Sequence, residues 1–276
     1  MQDKRKLFRI LFIGDISGRY GRRFLSKALP TIKIKFNPDV VIANGENSAG
    51  GLGITSKTAK EIFEAGVDVI TSGNHVWDKK EAIVLLNEDH RIIRPINYPE
   101  IVPGKGYYVF RTRGNHQTEV MIVNLQGRVF MEPVVDNPFL CIDRFLHQVQ
   151  QKIIFIDFHA EATAEKQALG FYLDGRVSAV LGTHTHVQTA DLRILEQGTA
   201  YQSDVGMTGS LDSIIGMKRD PVIRKFLTGI NQKFEVAKKN IIMDMVVLDI
   251  DEKTGKAVHV NSMRLFESHF DEQLEF

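Results

Sequence analysis

Val177-Ser178-Ala179-Val180-Leu181-Gly182-Thr183-His184-Thr185-His186 passes from a run without charge straight into two histidines one residue apart. Val177 to Leu181 reads as a buried strand. Both imidazoles then leave its carboxyl end together, where open α/β sheets bind ligands. A lone histidine there would say little. Four further polar clusters follow apolar runs in the same way, and a sheet would gather them at one end.

Around this segment, apolar runs alternate with helical spacings. Leu7 to Ile13, Asp39 to Ala43 and Val67 to Thr71 predict strands. Arg22 to Lys35 predicts a helix that Pro30 should kink or break. Thr55 to Ala65 predicts another, opened by a capping signal of Thr55 with Thr58, and Asp78 to Leu86 a third. Ile92-Ile93, Tyr107 to Phe110 and Val120 to Val123 read as short strands. Asp136 to Gln151 reads as a helix, Ile153 to Ile156 as a buried strand and Thr163 to Leu169 as a helix. Past His186 the βαβ rhythm weakens. Leu192 to Leu195, Met243 to Ile250 and His259 to Leu265 read as strands with antiparallel partners, and 267–276 as a polar tail. With no repeat or Gly/Ser linker, residues 1–276 are expected to form one α/β domain, a partly parallel sheet sandwich flanked by helices.

Composition narrows the partners. Lys and Arg number 35 against 34 Asp and Glu, so no basic excess supports whole-surface binding of nucleic acid, and no DNA partner is expected. Cys141 is the only cysteine, which excludes an intrachain disulfide and fits a reducing compartment. Its apolar neighbours predict a buried thiol, not a catalytic one. Lys4, Arg5 and Lys6 precede an apolar stretch broken by Arg9. That leaves no signal-peptide core or membrane span there, and a cytoplasmic location is expected.

The first cluster is Gly14-Asp15-Ile16-Ser17-Gly18, where a carboxylate leaves a strand between glycines. Alone, Asp15 would equally cap the next helix. The second, Asn44-Gly45-Glu46-Asn47, holds a carboxylate able to bridge two cations and an amide able to meet a phosphate. In Ser72-Gly73-Asn74-His75-Val76-Trp77-Asp78, Asn74 offers a carbonyl oxygen to a metal and His75 could reach a reacting group. Trp77 reads as a packing residue. Asp78 is either a helix N-cap or the partner that orients His75. The fourth cluster, Asp157-Phe158-His159-Ala160-Glu161, contains the H-x-E of zinc deaminases. A single cysteine cannot supply the rest of that motif, so that reading fails. His159 remains a candidate ligand with Asp157 or Glu161 behind it.

The clusters matter jointly. Asp15, Glu46, Asn74, His159, His184 and His186 are six mixed N/O donors at strand ends. Structural zinc sites favour cysteine and close with four ligands. Six donors with carboxylates suit two adjacent cations, the arrangement of phosphatases and nucleases. Arg19, Arg22 and Arg23 read as solvated residues of a helix start, with contact to phosphate or ribose as the alternative. Asp204 to Gly209 reads as a wall of the site. His90, His116, His147, His259 and His269 read as surface residues.

Gly73-Asn74-His75 and Gly182-Thr183-His184-Thr185-His186 resemble the G-N-H and G-H-x-H signatures of calcineurin-like metallophosphoesterases. Two departures sharpen this. The usual D-x-H is Asp15-Ile16-Ser17, and the usual G-D-x-x-D is replaced by Gly45-Glu46-Asn47. With residues 157–163, this pattern resembles the bacterial YmdB-like subfamily from about Leu11 to Gly209. The resemblance implies a four-layer α/β/β/α sandwich of mixed sheets and a dinuclear iron or manganese centre, with zinc also open. It implies phosphodiesterase action on 2′,3′-cyclic nucleotides or RNA-derived phosphodiesters, an association with RNA turnover and bacterial multicellular behaviour, and leaves a homo-oligomer open. By that resemblance Asp15, Glu46 and His186 would hold one metal. Glu46 (as bridge), Asn74, His159 and His184 would hold the other. Asn47 and His75 would face the phosphate, a metal-bridging hydroxide would attack, and His75 would be the general acid. A phosphomonoesterase or protein phosphatase on the same site, or a regulatory RNA- or protein-binding module, are the competing readings.

Overall fold

The computed structural model describes residues 6–113 and 117–273; Lys4, Arg5, His116 and the last three residues of the expected tail lie outside them. One sheet holds β1 (Leu7–Ile13), β2 (Asp15–Ile16), β3 (Val40–Asn44), β4 (Val69–Thr71), β11 (Met207–Ser210), β12 (Ile241–Asp251) and β13 (Ala257–Phe266). The other holds β5 (Tyr107–Arg111), β6 (Glu119–Gln126), β7 (Ile153–His159), β8 (Ala179–Thr183), β9 (Arg193–Ile194) and β10 (Ala200–Gln202). β1, β3 and β4 run parallel, as do β6, β7, β8 and β10. Antiparallel β12, β5 and β9 complete the two mixed sheets.

Burial on both faces explains the unbroken apolar runs. In β1, Phe8, Ile10 and Phe12 face the second sheet, meeting Ile122, Phe155 and Leu181. Phe12 and Phe155 meet edge-on at 4.9 Å. Leu11 and Ile13 face the other way, onto Phe24, Leu25 and Ile32 of α1 (Gly18–Phe36) and Ile62 of α2 (Ser56–Ala65). On the outer face of the second sheet, Ile154, Ile156 and Val180 pack on Ile142 of α4 (Pro138–Leu146) and on Leu169 of α5 (Thr163–Tyr172). The layers are therefore α/β/β/α, as the resemblance implied.

Several elements depart from the sequence reading. α1 runs through Pro30, which is exposed, while Leu25, Ala28, Leu29 and Ile32 are packed on the sheet around it. That burial offsets the ~3 kcal/mol that an interior proline costs a helix. α3 is only Ala82–Glu88, because Asp78 is engaged by His75 instead of capping. α4 starts at Pro138, where the Asn137 side chain accepts from the Phe139 and Leu140 amides, and ends at Leu146. α6 (Arg219–Thr228), absent from the sequence reading, buries only Val222, so apolar periodicity could not announce it. The expected polar tail also docks. Phe270, at the start of α7 (Phe270–Gln273), is buried edge-on against Phe24 at 5.7 Å. Cys141 is only partly buried, not a core thiol.

One fork in the first sheet positions the site. After Ile13 the chain leaves β12, and β2 pairs with β11 instead (Asp15 opposite Met207). Gly14 sits at the fork, and any Cβ there would run into the Gly206 carbonyl. Glycine is required because the two backbones touch.

Candidate metal centre

All six candidate ligands lie at the carboxyl ends of parallel strands or on β2. Asp15 follows β1, Glu46 follows β3, Asn74 follows β4, His159 ends β7, and His184 and His186 follow β8. The structure brings them to one place. The His159 Nε2 atom lies 3.0 Å from Glu46 Oε1, 3.1 Å from Asn74 Oδ1 and 3.0 Å from His184 Nδ1. Glu46, His159 and His184 each direct a donor atom to within 4.8 Å of the others. Glu46 and His159 are fully buried.

The surroundings set which atoms carry lone pairs. Thr183 donates its hydroxyl to Asp157 Oδ1 at 2.7 Å, so its oxygen accepts from His159 Nδ1–H at 2.9 Å. That leaves His159 Nε2, facing Glu46, as the atom that carries either a second proton or a metal. Asp157, wholly buried, also accepts from Thr71 and Asn44. Glu161 accepts from His184 Nε2 at 3.1 Å, which turns Nδ1 inward. Such outer partners fix the tautomer and ring angle of metal-binding histidines. His184 and His186 both have positive φ, 104° and 64°. Non-glycine residues adopt that conformation only where the surroundings hold them in it.

A second pocket adjoins the first. His186 donates Nδ1–H to the Ile215 carbonyl at 2.8 Å, presenting Nε2 inward. Nε2 lies 3.7 Å from Asp15 Oδ1 and 3.0 Å from the Asn47 amide, which is 3.5 Å from Asp15. Asp15 Oδ2 accepts the His184 backbone amide at 3.1 Å, joining the two pockets. Asn47, read in sequence as phosphate-facing, thus sits between Asp15 and His186. Ser17, at the position of the usual histidine, is buried with its hydroxyl unpartnered beside Gly209 and Gly216.

These donors fit cations. Glu46 Oε1 is buried and faces His159 Nε2 at 3.0 Å, so it is satisfied only by a proton on that nitrogen or by a cation in the proton's place. Burial alone would raise the Glu46 carboxyl, but His159, His75 and His184 overrule it and hold it at about 2. Burial and the neighbouring His159 push His184 down to about 3, so it offers a lone pair. Burial would lower His159, yet Glu46, Asp15 and Asp157 lift it to about 9. Without an ion the cluster therefore protonates His159 in its place. A metal must displace that proton. Adding metal to stripped protein at pH 7 should release protons in a pH-stat, and the release should vanish above about 9. Uptake with no release at pH 7 would mean that His159 is already neutral.

Gly73 shows how tightly the pocket is built. A Cβ there would strike Glu46 Oε2 and His159 Nε2. Gly73→Ala should leave the helical circular dichroism intact and strip bound metal. Full metal content in that variant would show the pocket to be looser than this contact requires.

His75 stands at the mouth, its side chain 32% exposed. Its backbone amide donates to Glu46 Oε2 at 3.2 Å and its Nδ1 meets Asp78 Oδ2 at 2.9 Å. Asp78 is thus the orienting partner, not a cap. Trp77 packs edge-on against Tyr98 at 5.9 Å. Arg19 and Arg23 are exposed, whereas Arg22 is neither solvated nor free for a ligand: it donates to Glu61 and to the Ser48 carbonyl. Asp204 lies behind the histidines, accepting the Thr185 amide at 3.0 Å and pairing with buried Lys166 at 2.8 Å. His90, His147, His259 and His269 are not buried. Sequence reasoning missed Thr183 and the Ile215 carbonyl. The first lay within the quoted motif as an unremarked threonine, and the second is a backbone group 29 residues away with no side-chain signature.

Two packed mixed sheets with buried N/O donors converging at their carboxyl ends define a metallophosphoesterase. The family model for YmdB-like proteins matches residues 11–263. Over 263 residues the chain is 48% identical to a 2′,3′-cyclic-nucleotide 2′-phosphodiesterase of Bacillus subtilis (strain 168), covering 95% of this chain and 98% of that one. The crystal structure of a hypothetical protein from Thermus thermophilus shares 43% identity and superposes with a TM-score of 0.88, covering 94% of this chain and 100% of that one. A crystal structure described as a novel phosphatase, from Mycoplasma pneumoniae, shares 34% identity with a TM-score of 0.90, covering 98% of each chain. The chain belongs to the YmdB-like family and is a hydrolase of phosphoric ester bonds.

Proposed function

We propose that the chain hydrolyses 2′,3′-cyclic nucleotides, or RNA-derived phosphodiesters of that kind, at a centre of two metal ions sharing Glu46. The observation that carries this reading is the set of donors around His159 Nε2, all within about 3 Å of it. The substrate class rests on the activity named for the 48% identical relative. Glu46, Asn74, His159 and His184 would hold one ion, and Asp15, Glu46 and His186 the other. Asn47 would join the second set, since a half-turn of its amide aims Oδ1 at the same pocket. It takes the place left by Ser17. Donors without thiolate suit iron or manganese, and zinc also accepts them. Such a pair of cations would supply hydroxide at neutral pH and would stabilise charge on a phosphoryl group.

The chain's own residues do the rest. Asp78 holds the Nδ1 of His75, which fixes the ring and leaves Nε2 as the atom that exchanges a proton. Its partial exposure at the mouth suits a proton donor to the departing ribose oxygen. We read the chain as cytoplasmic, consistent with its lone cysteine; among the described residues, no helix is long and apolar enough to cross a membrane. The test is to compare 2′,3′-cyclic AMP with a phosphomonoester on the metal-loaded enzyme. The diester should be preferred by at least about tenfold in kcat/KM, a margin of ~1.4 kcal/mol in transition-state binding. Preference for the monoester would favour the phosphatase reading.

A further inference from the structure

Lys166 carries a charge that the fold itself does not need. It sits on α5 and is only 2% exposed, and its stem passes so close to Gly182 that a Cβ there would stand 3.3 Å from Lys166 Cδ. Lysines are almost never buried this deeply unless paired. Its Nζ donates to Asp204 Oδ2 at 2.8 Å and to the Thr183 carbonyl at 2.9 Å, and Asp204 is as deeply buried. Such a pair adds little net stability, because taking both charges out of water offsets their attraction. Apolar side chains of similar volume would pack there as well or better. Stability alone therefore does not explain the pair, whereas the groups it touches do.

Asp204 Oδ2 also accepts the Thr185 amide at 3.0 Å. The pair thus grips the peptide before His184, through the Thr183 carbonyl, and the peptide after it, through the Thr185 N–H. The φ and ψ of His184 are the rotations between those two planes, so holding both planes fixes both angles. His184 has φ of 104°, a conformation that a non-glycine residue keeps only under constraint. Asp204 is itself anchored. Its amide donates to Thr189 Oγ1 at 2.9 Å, and its carbonyl accepts the Thr189 amide at 3.0 Å. Its Oδ1 accepts the Gly206 amide at 2.9 Å, and the Gly206 carbonyl accepts the Asp15 amide at 3.0 Å. One carboxylate therefore ties the histidine turn to the fork that carries Asp15. We infer that Lys166 and Asp204 are positioning residues, which hold His184 in its ligating conformation before any metal arrives. The inference rests on the proposed metal centre and adds to it the groups that preform one of its ligands.

Calorimetric titration of metal-stripped protein with manganese(II) tests this, comparing wild type with the double variant Lys166→Met, Asp204→Asn. The double change removes one charge of each sign, so the net charge beside the centre is unaltered. It leaves one acceptor oxygen where the Thr185 and Gly206 amides had two. The variant should melt within a few degrees of wild type, yet bind manganese(II) about 10–100-fold more weakly, the range for losing a group that orients a ligand. A folded double variant with wild-type affinity overturns the inference, because the pair would then be structural only. If the double change also lowers stability, hydrogen exchange of stripped wild type decides. The Thr185 amide should exchange as slowly as the amides of β8, and exchange at the rate of exposed loops overturns the inference. A wild type that binds no manganese(II) defeats the metal centre itself, whereas binding that the double change leaves intact defeats only the positioning role.

Discussion

Glu46→Gln should abolish metal binding and turnover together. Glutamine keeps the size of the side chain but removes the carboxylate that meets His159 Nε2 at 3.0 Å. That carboxylate is wholly buried and held ionised by the histidines around it. An amide there offers at most a weak carbonyl donor to either pocket. Turnover should fall by ~10³-fold or more, since in the proposed reaction the cations would supply both the nucleophile and the charge stabilisation. Metal content by elemental analysis should fall in parallel, while circular dichroism stays native. An active variant with full metal content would rule out the shared carboxylate.

His75→Ala should behave in the opposite way toward the metal. The backbone amide of residue 75, not its ring, bonds Glu46 Oε2, and alanine keeps that bond. The ring reaches Asp78 and the mouth of the site. Turnover should drop by ~10²–10⁴-fold, the usual range for a lost general acid, with metal content near that of wild type. A substrate with a good leaving group should recover much of the loss, because it needs less protonation. Loss of metal in this variant would instead make His75 a ligand.

Much of this was legible because strands buried on both faces must be apolar throughout, so the first polar residue after each run marks a strand end. Glu46, His159 and His184 stand at or just past such strand ends, and the fold directs a donor atom of each to within 4.8 Å of the others, with Asn74 Oδ1 3.1 Å from His159 Nε2. Non-local pairings were not legible. Nothing local to Asp15 announces that β2 abandons β12 for β11 across about 190 residues, and the Gly14–Gly206 contact shows only in three dimensions. Asn47 was read toward the substrate because its spacing from Glu46 does not say which pocket an amide enters. α6 escaped because its apolar side chains are mostly exposed, Phe226 and Leu227 among them.

Anomalous diffraction from a crystal of the metal-loaded enzyme is the most direct test. Two peaks ~3.5–4 Å apart should appear, one beside Asn74, His159 and His184 and one beside Asp15 and His186, with Glu46 touching both. A single peak, or two that do not share Glu46, would contradict the account.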